Sequence, residues 1–292
     1  MRILVTGREG QVVSALAEEG PALGHEIIRL GRPDFDLAKP DGIRAALEAH
    51  RPDVVVSAAA YTAVDQAESE PDLAMAVNGT GPGIVAAAAA ERGLPIIHLS
   101  TDYVFDGTKP TPYLETDATG PQSAYGRTKL AGEIAVAAAN PRHVILRTAW
   151  VYAHGGKNFV RTMLRLAADR PELRVVSDQL GCPTYATDLA RAILALSVQL
   201  PARPAGDEGY GVFHASGSGD TSWAGFASAI FELSAAQGGP AARVVPIATA
   251  DYPTPARRPA NSRLDCNKLH KVFGVRQPHW FDGLARCLDR LD

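Results

Sequence analysis

Tyr125 and Lys129, at the two ends of Tyr125-Gly126-Arg127-Thr128-Lys129, are the residues whose types and spacing most plainly suggest chemistry. On a helix, positions four apart share one face, about a turn from each other. An ammonium there favours the phenolate and makes the phenol a better proton donor, so the chemistry would be delivery of a proton to a reacting oxygen. Upstream, Ser100-Thr101-Asp102-Tyr103-Val104-Phe105 adds a hydroxyl and a carboxyl after an apolar stretch. By itself the Tyr-x-x-x-Lys pair reads equally as an exposed polar face with a half-buried tyrosine, so its surroundings have to decide.

The elements that would carry these residues alternate in type. Short apolar runs at Ile3–Val5, Glu26–Leu30, Asp53–Ser57, Ile96–Leu99 and Val144–Leu146 have the composition of buried parallel strands. Between them, Val12–Glu19, Asp41–His50, Asp72–Arg92 and Ala124–Ala139 favour helix, the last two through alanine. This order predicts an α/β fold with a Rossmann-type doubly wound parallel sheet, Thr101 ending the fourth strand and Tyr125 and Lys129 on the next helix. Beyond Trp150 the rhythm loosens: Asn158–Ala168, Thr187–Ser197 and Trp223–Ala235 look helical, Tyr210–His214 and Arg243–Ile247 look extended, and Pro201–Gly209 has loop composition. We expect one domain over residues 1–150 and a smaller lobe over 151–292, with segments near 185–215 returning to the sheet.

The bulk numbers exclude several classes. With 292 residues, 46% apolar, 21% charged and a formal net charge of -3, the chain reads as an ordinary soluble globular protein. It has no Lys/Arg block, so neither nucleic acid nor an anionic membrane is expected as a partner. No run looks long and apolar enough to cross a bilayer, and Ile3-Leu4-Val5 follows the start without a cationic or cleavable leader, which predicts a cytoplasmic location. Cys182, Cys266 and Cys287 show no C-x-x-C spacing and are expected as reduced thiols. No histidine pair has helical metal spacing backed by an acid, so no metal site is expected. Trp223 and Phe226 read as packing residues on a helix, and Asp65 and Glu68 as a solvated face.

Thr6-Gly7-Arg8-Glu9-Gly10-Gln11-Val12-Val13 lies where the first strand turns into the first helix, the place where glycines let a pyrophosphate approach backbone N–H groups. Val13 stands where a third glycine is usual, which predicts wider packing of the helix on the sheet; a plain tight turn is the other reading. No acid ends the second strand, Ile27-Ile28-Arg29-Leu30-Gly31-Arg32. An acid there would bind a ribose hydroxyl, whereas an arginine suits a 2′-phosphate. We therefore expect NADPH as cofactor, with NADH possible, and Arg32 or Arg29 as the phosphate ligand, solvated loop arginines being the alternative.

Together these motifs resemble the extended short-chain dehydrogenase/reductase superfamily and, within it, the dTDP-4-dehydrorhamnose reductases. The similarity runs through Gly7-x-x-Gly10-Gln11-Val12, Ala58-Ala59-Ala60-Tyr61-Thr62-Ala63-Val64-Asp65, Ser100–Gly107, Tyr125–Glu133, Arg147-Thr148-Ala149-Trp150-Val151-Tyr152, Asp178-Gln179-x-Gly181-x-Pro183-Thr184 and Arg258-Pro259-x-x-Ser262-x-Leu264. The resemblance implies Thr101, Tyr125 and Lys129 as a catalytic triad. It implies Gly7, Gly10, Gln11 and Val12 along the pyrophosphate, Asp36 and Leu37 on the adenine side, and Ala60, Tyr61 and Thr62 beyond. Asp102 and Trp150 would face the sugar. Val13 and Cys182 depart from the family pattern. Some relatives are described as metal-assisted dimers using an acid in the first helix; Ala15 occupies that region here, and either a monomer or a homodimer is compatible.

The implied reaction is reduction of the C4 ketone of a dTDP-4-dehydro-6-deoxy sugar, Tyr125 giving the proton, Thr101 holding the oxygen and Lys129 lowering the Tyr125 pKa while binding the cofactor ribose. Arg258 is the candidate for the diphosphate of the nucleotide-sugar substrate, with Asn158 beside it; the other reading of Arg258 is a tie between a C-terminal loop and the main domain. Two further functions share these motifs: a nucleotide-sugar epimerase or dehydratase, and a non-catalytic NADP-binding regulatory subunit of methionine adenosyltransferase.

Overall fold

In the computed structural model, which describes residues 1–291, the first half runs β1 (Arg2–Thr6), α1 (Gln11–Ala22), β2 (Glu26–Leu30), α2 (Ile43–His50), β3 (Val54–Ser57), α3 (Pro71–Met75), α4 (Gly81–Ala90), β4 (Ile96–Thr101), α5 (Ala124–Ala139) and β5 (His143–Thr148). The second half runs β6 (Val151–Tyr152), α6 (Phe159–Ala167), β7 (Glu172–Val176), β8 (Leu180–Gly181), β9 (Thr184–Tyr185), α7 (Ala186–Gln199), β10 (Gly211–His214), β11 (Thr221–Ser222), α8 (Trp223–Ala236), β12 (Arg243–Ile247), α9 (Asn267–Phe273) and α10 (Trp280–Leu288).

Six strands form one parallel sheet in the order β10-β5-β4-β3-β1-β2. The strand side chains alternate between two apolar layers, as a sheet covered on both faces requires. Ile3, Val5, Val54, Val56, Ile97 and Leu99 point into a core completed by α1, α7 and α9. Leu4, Val55 and Ile96 point into the other, completed by α2, α4 and α5. The order of connections reverses between β1 and β3, so a crevice opens at the carboxyl ends of these strands.

The remaining elements pack around their own apolar cluster, with Phe226 and Ile230 of α8, Val160 of α6, Leu284 of α10 and Leu173 of β7 at its centre. Strand β12 lies parallel to β7 in a separate two-stranded sheet.

One expectation needs correction. Pro71–Ala90 is a 20-residue helical run, long and apolar enough by length and composition to cross a membrane. About half of it is buried within the fold, and Gly83 lets α4 lie close against Ala135 of α5. A π turn over Ala76–Thr80 interrupts it and turns Asn78 inward.

Candidate active site

Thr101 ends β4 at the rim of the crevice, and its extended backbone (φ -143°, ψ 155°) caps the short turn Asp102–Val104. The Thr101 hydroxyl accepts from the Tyr103 amide at 3.2 Å and donates to Asp102 Oδ1 at 2.9 Å. Asp102 is 3% exposed, and its Oδ2 has no hydrogen-bond partner among the described residues. Burial pushes its pKa up to about 6, with the Ser262 and Thr101 hydroxyls pulling the other way. A carboxyl raised in the folded state is stabilising below its unfolded pKa, and that contribution is lost as pH rises through the folded value. The stability of Asp102→Asn relative to the parent should therefore shift in favour of asparagine by about 3 kcal/mol between about pH 4 and about pH 8. Urea titrations across that range measure it, and a difference that stays flat refutes the burial argument.

Helix α5 is set against this turn by its own N-terminus. Ser123 accepts the Gly126 amide at 3.1 Å, and Glu68 Oε1 accepts the Ala124 amide at 2.7 Å. A side chain at position 126 would overlap the Tyr103 carbonyl, so Gly126 lets the helix approach the end of β4. Tyr125 meets the ring of Tyr103 edge-on, with centroids 5.5 Å apart, and keeps part of its surface accessible. Its pKa is pushed up to about 12 by burial and by the charge of Asp102, against a hydrogen bond from Thr101. At neutral pH the phenol carries its proton.

Lys129 shares that helical face but turns inward. Its Nζ donates to the Leu99 carbonyl at 2.6 Å and lies 3.4 Å from His98 Nε2, while His98 Nδ1 faces Ser57 Oγ at 3.1 Å. Burial lowers its pKa to about 8, and Glu133 pulls it back up. The expected lowering of the Tyr125 pKa by Lys129 is therefore not what the structure shows: the ammonium is spent on a carbonyl of β4, and burial and Asp102 govern the phenol. One further turn along, Glu133 accepts Arg147 Nε at 2.9 Å and Nη2 at 2.6 Å, and the Ser100 hydroxyl at 2.5 Å. Both side chains of this pair are about 5% exposed or less, and the guanidinium lies 4.9 Å from the Phe105 ring.

On the other side of the crevice, Gly7 adopts φ 108°, a conformation suited to glycine, and Gly10 begins α1 without a side-chain cap. The amides of Gln11, Val12 and Val13 thus stand free at a helix N-terminus, which fits a pyrophosphate. Val13 packs against this turn: its Cγ2 lies 3.2 Å from where a Gly7 side chain would begin, so it fills the space left by Gly7. Gln11 Nε2 donates to the Val151 carbonyl at 3.2 Å, and its buried Oε1 has no partner among the described residues. Arg29 is engaged with the Arg8 carbonyl at 3.2 Å and Arg8 with Asp34, whereas Arg32 is exposed. Asp36 accepts the Ala38 amide at 3.0 Å, and Leu37 is buried beside it.

The loop after β3 is pinned twice. The Thr6 hydroxyl accepts the amides of Ala58 and Ala59 at 3.0 and 2.9 Å. Asn78 accepts the Tyr61 amide at 2.8 Å and donates to its carbonyl at 3.1 Å, which fixes Ala60, Tyr61 and Thr62 at the crevice wall. Nothing local in the sequence marks Asn78 for this role; its partner lies 17 positions away.

On the sugar side, Trp150 follows β5 with φ 48°, a left-handed backbone that costs a non-glycine residue roughly 1–3 kcal/mol and that clusters at ligand sites. Asn158 caps α6 through the Arg161 amide at 3.1 Å and donates to the carbonyls of Ala153 at 2.7 Å and Gly155 at 3.2 Å, so its amide is engaged in holding the start of that helix. Asp65 and Glu68 are also not a plain solvated face. Asp65 receives Arg258 Nη2 at 2.7 Å and the Ala256 amide at 3.1 Å, binding the C-terminal loop to the loop after β3. Arg258 thus makes the tie, and its Nη1 is buried without a partner among the described residues.

The chain matches the family described as RmlD substrate binding domain over residues 1–292. It is 53% identical over 289 residues to the dTDP-4-dehydrorhamnose reductase of Sinorhizobium fredii, covering 99% of this chain and 97% of that protein. Among solved structures, a dTDP-4-dehydrorhamnose reductase from Clostridium acetobutylicum superposes with a TM-score of 0.91 at 39% identity, covering 99% of both chains. The Bacillus anthracis enzyme, solved in complex with NADP, superposes with a TM-score of 0.90 at 36% identity over 99% of this chain and 98% of that one.

Proposed function

Because this chain belongs to the RmlD substrate binding domain family, we propose that it is an NADPH-dependent reductase that converts the C4 ketone of dTDP-4-dehydro-6-deoxy-L-mannose to the alcohol of dTDP-L-rhamnose. One observation carries this reading: the start of α5 sets Tyr125 against the end of β4, where the Thr101 hydroxyl stands, with Asp102 buried beside it and Lys129 a turn deeper. The relatives named dTDP-4-dehydrorhamnose reductase support it.

Bound NADPH supplies the hydride. The free amides at the start of α1, with Gly7, Gly10, Gln11 and Val12, hold its pyrophosphate, and Asp36 and Leu37 border the adenine. Ala60, Tyr61 and Thr62, kept in place by Asn78, border the nicotinamide half. Arg32, the exposed arginine after β2, takes the 2′-phosphate, since Arg29 is already engaged.

As negative charge develops on the ketone oxygen, Tyr125 donates its proton there and Thr101 hydrogen-bonds the same atom. Lys129 orients the cofactor ribose and keeps a positive charge beneath the site. Asp102 and Trp150 border the sugar, and Arg258, held by Asp65, borders its diphosphate. In this division of labour residues 1–150 carry the cofactor and the groups that meet the ketone and the sugar, and Arg258 brings the second part of the chain to the diphosphate.

The test is consumption of NADPH by the purified chain with the keto sugar made in situ by a dehydratase and an epimerase. Turnover with a KM for NADPH below that for NADH is expected, and Arg32→Ala should raise the KM for NADPH about tenfold while sparing NADH. Absence of turnover refutes the reductase, and equal KM values refute the role of Arg32.

A further inference from the structure

We propose that Trp223 is a positioning residue for the sugar side of this site, fixing the Trp150 ring by stacking on it. The two indoles lie with centroids 3.5 Å apart and planes 10° apart. Trp223 opens α8, where Ser222 caps the helix by accepting the Gly225 amide at 3.0 Å. Just before it, β11 pairs with β8, setting Thr221 opposite Gly181. Any side chain at Gly181 would run into the Cε2, Cζ2 and Nε1 side of the Trp150 ring. The same two-stranded unit therefore delivers both the residue that stacks on Trp150 and the residue that makes room for it.

Trp150 is held through its backbone, and its ring is left to packing alone. It sits in the left-handed region, and its carbonyl is tied to the Thr184 amide at 3.1 Å. Its indole has no hydrogen bond among the described residues. Trp223 is itself braced by Phe159, whose ring centroid is 4.7 Å away and which opens α6. The stack thus transmits the position of the second lobe to a ring at the end of β5. Trp223 reaches neither β4 nor α5 in these contacts, so its loss weakens capture of the sugar and leaves the proton-donating groups where they are.

The inference rests on the proposed reductase activity, and the experiment separates the two. Trp223→Leu and Trp223→Phe are compared with the parent by far-ultraviolet circular dichroism, where stacked indoles give an exciton couplet, and by steady-state kinetics. Both variants should lose the couplet. In Trp223→Leu the KM for the keto sugar should rise about three- to tenfold, the range for losing an aromatic pair, and Trp223→Phe should recover most of that loss. The value of kcat and the KM for NADPH should stay within about twofold. A lost couplet with an unchanged sugar KM overturns the positioning role, as does an equal rise in both KM values, which a general structural loss would produce. Should the parent show no turnover, the functional reading alone fails, and calorimetric titration with dTDP-L-rhamnose decides the inference: weaker binding by the variants supports it, equal binding refutes it.

Discussion

Tyr125→Phe is expected to bind NADPH as the parent does and to reduce the keto sugar about 10²–10⁴ times more slowly, the range for removing a positioned acid. The loss falls on kcat because the phenol acts where charge appears in the transition state, not on the bound ketone. The fold should be spared: the phenylalanine ring keeps the edge contact with Tyr103, and α5 keeps its Ser123 cap. Residual turnover would come from the oriented cofactor and from Thr101, whose hydroxyl would turn from Asp102 to the ketone oxygen. Single-turnover rates with saturating NADPH measure the effect free of product release. Parent-like rates in the variant would remove Tyr125 from the chemistry and transfer the acid role to another group.

Glu133→Ala should cost about 3–5 kcal/mol, because it leaves the Arg147 guanidinium buried without its counter-charge. The pair is made by two parallel hydrogen bonds, the Ser100 hydroxyl completes it, and burial removes the screening that makes exposed pairs weak. A fall in melting temperature of roughly 10 °C would correspond to that loss in a chain of this size. Replacing both partners by apolar residues, as in Glu133→Leu with Arg147→Met, should restore much of it, since the buried charge is then gone rather than orphaned. Equal melting temperatures for Glu133→Ala and the parent would mean that water or rearrangement replaces the pair. The consequence extends to catalysis, because Glu133 holds up the pKa of Lys129. Loss of the carboxylate should move the alkaline limb of the rate profile below its parent position near pH 8.

Much of this arrangement is legible in local patterns. Ala124–Ala139 and Glu26–Leu30 read with their observed limits, the first because alanine runs on from a serine cap to the helix-ending Asn140, the second because β-branched residues follow a turn. The strand Glu172–Val176 escapes such reading, since its arginine and glutamate alternate with apolar residues on a two-stranded edge paired only with β12. Helices α9 and α10 escape it as well, being short and dependent on packing against the sheet and the second lobe. At the site, spacing places Tyr125 and Lys129 on one face but says nothing of where the lysine points. That direction is chosen by Leu99 O, 30 positions away. Asn78 and Asp65 act on partners 17 and 193 positions distant, and no local pattern announces either. Asn158 shows the opposite difficulty: a helix cap and a binding residue look alike until the helix is seen.

The contact between Gly7 and Val13 bears on what a glycine-rich turn asks of a sequence. The exchange runs one way: the positive φ of Gly7 keeps that position a glycine, and the volume it leaves empty is the one that the Val13 side chain occupies. A side chain at the second position therefore depends on the first staying bare, so in this chain Gly7 is required twice, once by its own backbone and once by its neighbour.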